Sequence, residues 1–126
     1  MTLLLDAGAF IAIENGDRDV VLLLKRELMA GREPLTHGGV IGQVWRGGHG
    51  KQANLAKLLP GVDVAALDDG LGRMAGVLLA RARRADVIDA ALVAIAHDGD
   101  EILTSDVDDF RVLAVASDIH VEIIPT

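Results

Sequence analysis

The sequence predicts an α/β protein: a three-layer α/β/α sandwich on a parallel sheet of about five short strands. Three observations support this. Short apolar runs, beginning with Leu3-Leu4-Leu5, alternate along the chain with longer stretches that carry apolar residues at helical spacing. The chain is 51% hydrophobic but only 2% aromatic, and small aliphatic side chains suit helices packed on a buried parallel sheet. Its 126 residues fit one domain, spanning 1–126, with one core.

In chain order, Leu3–Leu5 reads as a buried strand ending at Asp6, which would cap a helix from Ala7 to Ile13. Asn15-Gly16-Asp17 breaks the chain. A helix over Val20–Ala30 follows, with Gly31 just past its end. Pro34-Leu35-Thr36 is a weak second strand, and Gly38-Gly39 leads into a helical VIGQVWR stopped by Gly47-Gly48. Gln52–Leu59 is helical and closes at Pro60-Gly61, and Val62–Leu67 alternates as a third strand. Asp68 caps a helix over about Gly70–Arg83, followed by a helix over Ala85–His97 and a strand over Glu101–Thr104. A helix over Val107–Ser117 and an edge strand over His120–Ile124 complete the pattern. Strands separated by helices imply right-handed crossovers, and the ligand crevice of such a sheet lies beyond the carboxyl ends of its strands. Asp6 and Asp106, each following a strand, are therefore expected on the same edge.

Composition excludes several functions. The longest unbroken apolar run, Ala90–Ala96, falls far short of the ~18 residues expected of a membrane span. No basic region precedes the first apolar run, so no signal peptide is expected. With no cysteine, disulfides and thiolate metal sites are ruled out, and the expected compartment is the cytoplasm. A net charge of -7 argues against gripping nucleic acid through a basic surface. It leaves open an enzyme that meets phosphates through bound cations, because an ion reverses the local sign.

Chemistry-bearing residues concentrate in ADVIDAALVAIAHDGDEILTSDVDDF, Ala85 to Phe110. Asp86 and Asp89 lie three apart and share a helix face. Taken alone they are explained as a capping pair, but the apolar run after Asp89 would hold its carboxylate rigidly, as a metal ligand requires. Ser105-x-x-Asp108 fits a loose capping box that needs neither Asp106 nor Asp109. Two carboxylates ~4 Å apart repel by about 4 kcal/mol at an effective dielectric near 20. A fold gathering several must raise their pKa values or supply a cation. Oxygen ligands without cysteine or a histidine cluster select Mg²⁺ or Mn²⁺, which suits phosphodiester hydrolysis.

LLLDAGAFIAIE, DAALVAIA and ILTSDVDDF, in that order, resemble the three strongest motifs of the PIN domain, and the nearest branch is the VapC-type toxins of bacterial toxin–antitoxin pairs. The resemblance spans the whole chain. It implies a metal-dependent endoribonuclease, usually a homodimer, that cleaves RNA and is inhibited by a cognate antitoxin. It aligns Asp6 with the family's first acid, Asp89 with the third and Asp106 with the fourth, with Asp109 as a frequent helper. Asp86 is an additional acid near the site. The family's second acid, a Glu, is replaced here by Gln43, which supplies no charge and puts a second metal position in doubt. Glu14, about two turns past Asp6, and Ser105 could stand behind the ligands.

The other features are weaker. Arg81, Arg83 and Arg84 form the only basic cluster, explained first as a solvated helix end and second as an RNA contact. His37, His49, His97 and His120 share no metal-ligand spacing and are assigned no role. Gly70-x-Gly72-x-x-Ala75 mimics a dinucleotide fingerprint, but Asp68 and Asp69 stand where a pyrophosphate would sit. A phosphoacceptor receiver domain would need an acidic pair after the first strand and a late lysine, and the sequence has neither. The competing function is a PIN-like module that binds RNA or protein without turnover because of Gln43.

Overall fold

Leu3, Leu4 and Leu5 are all buried, and they form the middle strand of the sheet. A computed structural model of the chain describes residues 1–126. Five strands, β1 (Leu3–Leu5), β2 (Leu35–His37), β3 (Asp63–Ala65), β4 (Glu101–Thr104) and β5 (Glu122–Pro125), pair in parallel in the order β3-β2-β1-β4-β5. Seven helices connect them: α1 (Ala7–Glu14), α2 (Arg18–Met29), α3 (Gly38–Val44), α4 (Ala53–Leu58), α5 (Asp69–Ala82), α6 (Val87–Ala94) and α7 (Val107–Ser117).

The period-two alternation of strand side chains divides the core in two. Leu3, Leu5 and Leu103 pack with Phe10, Ile13, Leu24, Val40 and Leu55, which come from α1 to α4. Leu4 and Ile102 pack on the opposite face with Leu71, Leu78, Leu92, Phe110 and Leu113, from α5 to α7. Each fully buried Leu or Phe contributes roughly 1.5–3 kcal/mol. The middle of the sheet is thus clamped from both sides, while the edge strands β3 and β5 stay partly exposed. The chain leaves β1 towards β2 on one side, and β4 joins on the other. The resulting topological switch point lies at the carboxyl ends of β1 and β4.

Local chemistry explains most helix ends. Asp17 accepts the Asp19 and Val20 amides at 3.0 and 3.2 Å to start α2. Gly31, at φ +75°, ends it, with the Arg32 amide bonded to the Glu27 carbonyl at 3.0 Å. Asp68 caps α5 through the Leu71 amide at 2.9 Å, as expected.

Several boundaries differ from the sequence expectation. The helix expected over Ala85–His97 is only Val87–Ala94, because Asp86 caps it late and the chain turns through Gly99 at φ +88°. The expected strand Val62–Leu67 contracts to Asp63–Ala65, and the last strand shifts to Glu122–Pro125. The helix expected over Gln52–Leu59 has 3₁₀ turns on either side of α4. The Ser105-x-x-Asp108 capping box does not form: Asp106 takes the cap position of α7 without a side-chain cap bond. Asp108 points into solvent, 3.9 Å from Arg111.

Candidate metal centre

Asp6 follows β1 directly, and its amide extends the sheet ladder by bonding the Leu103 carbonyl at 3.1 Å. Its side chain is buried and takes no part in capping α1. Instead, Asp6 Oδ2 accepts the Thr104 hydroxyl at 2.7 Å. Thr104 Oγ1 also accepts the Asp106 amide at 2.9 Å, so one buried hydroxyl orients the ends of both β1 and β4. On the other flank, the Thr36 hydroxyl donates to the Leu5 carbonyl at 2.8 Å and ties β2 to the same edge.

The other acids arrive on two helix starts. Asp86 caps α6 by accepting the Asp89 amide at 3.0 Å, which leaves the Asp89 carboxylate free in the first turn. Asp106 and Asp109 come from the start of α7. Asp89, Asp106 and Asp109 each offer a carboxylate oxygen, all within 4.8 Å of one another. At such separations the carboxylates repel one another unless protonated or met by a cation.

Electrostatics bear out the crowding. Burial, reinforced by the charges of Asp6, Asp86, Asp106 and Asp109, pushes the Asp89 carboxyl up to about 7. Burial also raises Asp6, although the Thr104 hydroxyl pulls it back. Asp106 is raised by partial burial and then by Asp109. The cation facing these acids is Arg84, whose Nε lies 3.4 Å from Asp109 Oδ1. Arg83 adopts a left-handed conformation (φ 54°) at the end of α5, and the Arg84 amide bonds the Leu79 carbonyl at 3.1 Å, turning the chain back towards the acids. Arg84, Ala85, Asp86, Asp89, Asp109 and Leu113 line a cavity of about 240 Å³. A larger apolar cavity of about 490 Å³, between α1, α2 and α4, contains no acid and suits no metal chemistry.

Two of the remaining sequence candidates line a different depression: Gln43, which is exposed, and Glu14, which is half-buried, lie there with Ile11, Arg46, His49 and Lys51. Ser105 is exposed, and its hydroxyl lies over Gly8, where an added Cβ would approach it to 2.7 Å.

Three residues gained a place only in the folded chain. Thr104 could have been suspected as a hydroxyl ending an apolar strand two residues before Asp106. Arg84 lay unresolved within a basic cluster. His37 is completely buried at the carboxyl end of β2, with Nδ1 3.1 Å from the Gly39 amide and Nε2 2.8 Å from the Ile88 carbonyl. Burial pulls its pKa below the ordinary histidine value. The adjacent Gly38-Gly39 was the only signal that a ring needed room there.

No family model and no curated protein matches the sequence. Solved structures do. A chain of the VapBC2 complex of Rickettsia felis, bound to a DNA fragment from its promoter, is similar at a TM-score of 0.70 and 12% identity, covering 98% of each chain. A chain of FitAB bound to an IR36 DNA fragment is similar at 0.64 and 16% identity, covering 97% of this chain and 94% of that one. At such identities the likeness is one of fold. The chain therefore has the PIN-type α/β/α fold that its sequence resembles, shared with chains of the VapBC2 and FitAB complexes.

Proposed function

We propose that this chain is a Mg²⁺- or Mn²⁺-dependent endoribonuclease, the toxin of a toxin–antitoxin pair. The observation that supports this most directly is the convergence of Asp89, Asp106 and Asp109 within 4.8 Å, beside the buried Asp6, at the switch point of the sheet. The residues present fit a hard cation. Their donors are all carboxylate oxygens, and the Asp89 carboxyl is raised first by burial and then by the negative charges of Asp6, Asp86, Asp106 and Asp109.

On this reading Asp6, Asp89 and Asp106 hold the ion, with Asp109 and Asp86 completing the acidic wall. A bound divalent ion supplies Lewis-acid stabilisation of phosphate charge and a water of lowered pKa. The Thr104 hydroxyl bonds both the Asp6 carboxylate and the Asp106 amide and so ties the two residues together. Arg84, which lines the cavity beside Asp109, would supply a positive charge for a phosphate.

The similar chains come from VapBC2 and FitAB, and this supports a cognate antitoxin as the partner. A homodimer and a cytoplasmic setting follow from the same reading. No helix is long and apolar enough to cross a membrane. Gln43 favours a second reading, a PIN-like module that binds RNA or protein without turnover.

The decisive experiment is RNA cleavage with Mn²⁺ by the wild type, Asp6→Asn and Asp89→Asn. Cleavage by the wild type, lost in both variants, is the expected result. Equal activity in all three, with contaminating nuclease excluded, removes the enzymatic reading.

A further inference from the structure

The peptide unit joining Ile88 to Asp89 is held at both ends. Its N–H donates to Asp86 Oδ1 at 3.0 Å, and its carbonyl lies 2.8 Å from His37 Nε2. His37 Nδ1 accepts the Gly39 amide at 3.1 Å, so in the neutral ring the proton belongs on Nε2 and is donated to Ile88. The ring is completely buried, and the nook around it is tight. An added Cβ at Gly39 would come within 2.8 Å of His37 Cε1 and 2.5 Å of Ile88 Cδ1. One imidazole thus joins the end of β2, the start of α3 and the first turn of α6. The peptide it holds carries Asp89, the buried member of the Asp89, Asp106 and Asp109 trio.

We propose that His37 is a positioning residue for the metal site. Its Nε2–H donation to the Ile88 carbonyl fixes the backbone from which Asp89 projects and so sets the affinity for the divalent cation. This rests on the reading of Asp89 as a metal ligand. Partners that orient a ligand typically change metal affinity by about 10–100-fold when lost, because the ligand must then be ordered at the expense of binding. The geometry also separates the two jobs of the ring. An Asn side chain can place its oxygen near the Nδ1 position and keep the bond from Gly39. A Gln side chain can place its amide nitrogen near the Nε2 position and keep the bond to Ile88.

The test uses the full chain with Mn²⁺ as the probe. Binding is followed by calorimetry and by the electron paramagnetic resonance of free Mn²⁺, with melting temperatures recorded alongside. The expected result is that His37→Asn folds but binds Mn²⁺ about 10-fold or more weakly, while His37→Gln recovers most of the affinity. Affinity unchanged in His37→Asn, or equally reduced in both variants, overturns the proposal. A second arm uses the wild type alone and is immune to any folding failure: ¹⁵N shifts of the His37 ring should show the Nε2–H tautomer, and the Nδ1–H tautomer overturns the proposal. Wild-type protein that binds no Mn²⁺, or binds it undiminished in Asp89→Asn, removes the metal reading itself and this proposal with it. That outcome is separable from a failure confined to His37, in which the wild type binds and only the Asn and Gln comparison fails.

Discussion

The Thr104 hydroxyl donates to Asp6 Oδ2 at 2.7 Å across the boundary between β4 and β1. The same oxygen accepts the Asp106 amide at 2.9 Å, so the two strand ends share one orienting atom. Both Thr104 and Asp6 are buried, and a buried carboxylate that loses its donor bears the full cost of desolvation.

Thr104→Val keeps the shape of the side chain but removes both bonds. Leaving Asp6 Oδ2 and the Asp106 amide without this partner should cost about 1–3 kcal/mol. Urea unfolding of the metal-free protein should show a lower midpoint at an unchanged slope, with weaker Mn²⁺ binding as a second consequence. A variant as stable as the wild type would show that the hydroxyl is replaceable.

In metal-free protein, stability should fall as the pH rises from about 4 to about 7. The folded Asp89 carboxyl is pushed up to about 7, whereas in the unfolded chain it titrates near its ordinary ~3.9. Between these values the native state holds a proton that the unfolded state has released, so raising the pH favours unfolding, and above 7 this group adds no further slope. Asp6 and Asp106, also raised, act in the same direction. Asp89→Asn should flatten the profile, as read from urea midpoints at several pH values in the presence of a chelator.

Mn²⁺ should reverse that loss. At a hundredfold excess over Kd, binding to the native state alone adds about 2.7 kcal/mol. The gain should be larger at pH 7.5 than at pH 5.5, where the ion must displace a proton from Asp89. Thermal melts with and without Mn²⁺ measure this, and Asp106→Asn should abolish most of the shift.

Arg84→Ala removes the cation beside Asp109. The pair is partly exposed on both sides, so its contribution to stability should stay below about 1 kcal/mol and the melting temperature should barely move. Mn²⁺ binding should tighten because a competing positive charge is gone, while affinity for an RNA oligonucleotide should fall. Weaker Mn²⁺ binding would mean that Arg84 organises the acids rather than competes for them.

Gln43→Glu separates an active nuclease from an impaired one. Gln43 is exposed, so the substitution should leave the fold intact. A large gain in cleavage would identify the natural protein as weakened, and little change would show that the amide is tolerated.

Much of this architecture was legible in the chain because it depends on local patterning. Leu3–Leu5 and Glu101–Thr104, the latter built on Ile102-Leu103, are too short for helices, and their strand boundaries were read correctly. Asp68 was read as a helix cap, which it is. Asp106 proved harder: the Ser105 and Asp108 spacing suggested a capping box, but the cap position of α7 falls one residue later, on Asp106, whose amide donates to the Thr104 hydroxyl. The helix after Asp86 is shorter than expected, since its alanine-rich run continues to Ala96, past the last helical residue, Ala94.

Periodicity and turn chemistry act over a few residues, so the order of strands and helices and the placement of acids just past strand ends could be read from the chain itself. The bond from Thr104 to Asp6, separated by 98 residues, and the bond from His37 to Ile88, separated by 51, belong to no local pattern. They exist because the parallel sheet brings distant strand ends to one edge. There, burial makes an unpaired polar group costly and leaves each of these side chains a partner within reach.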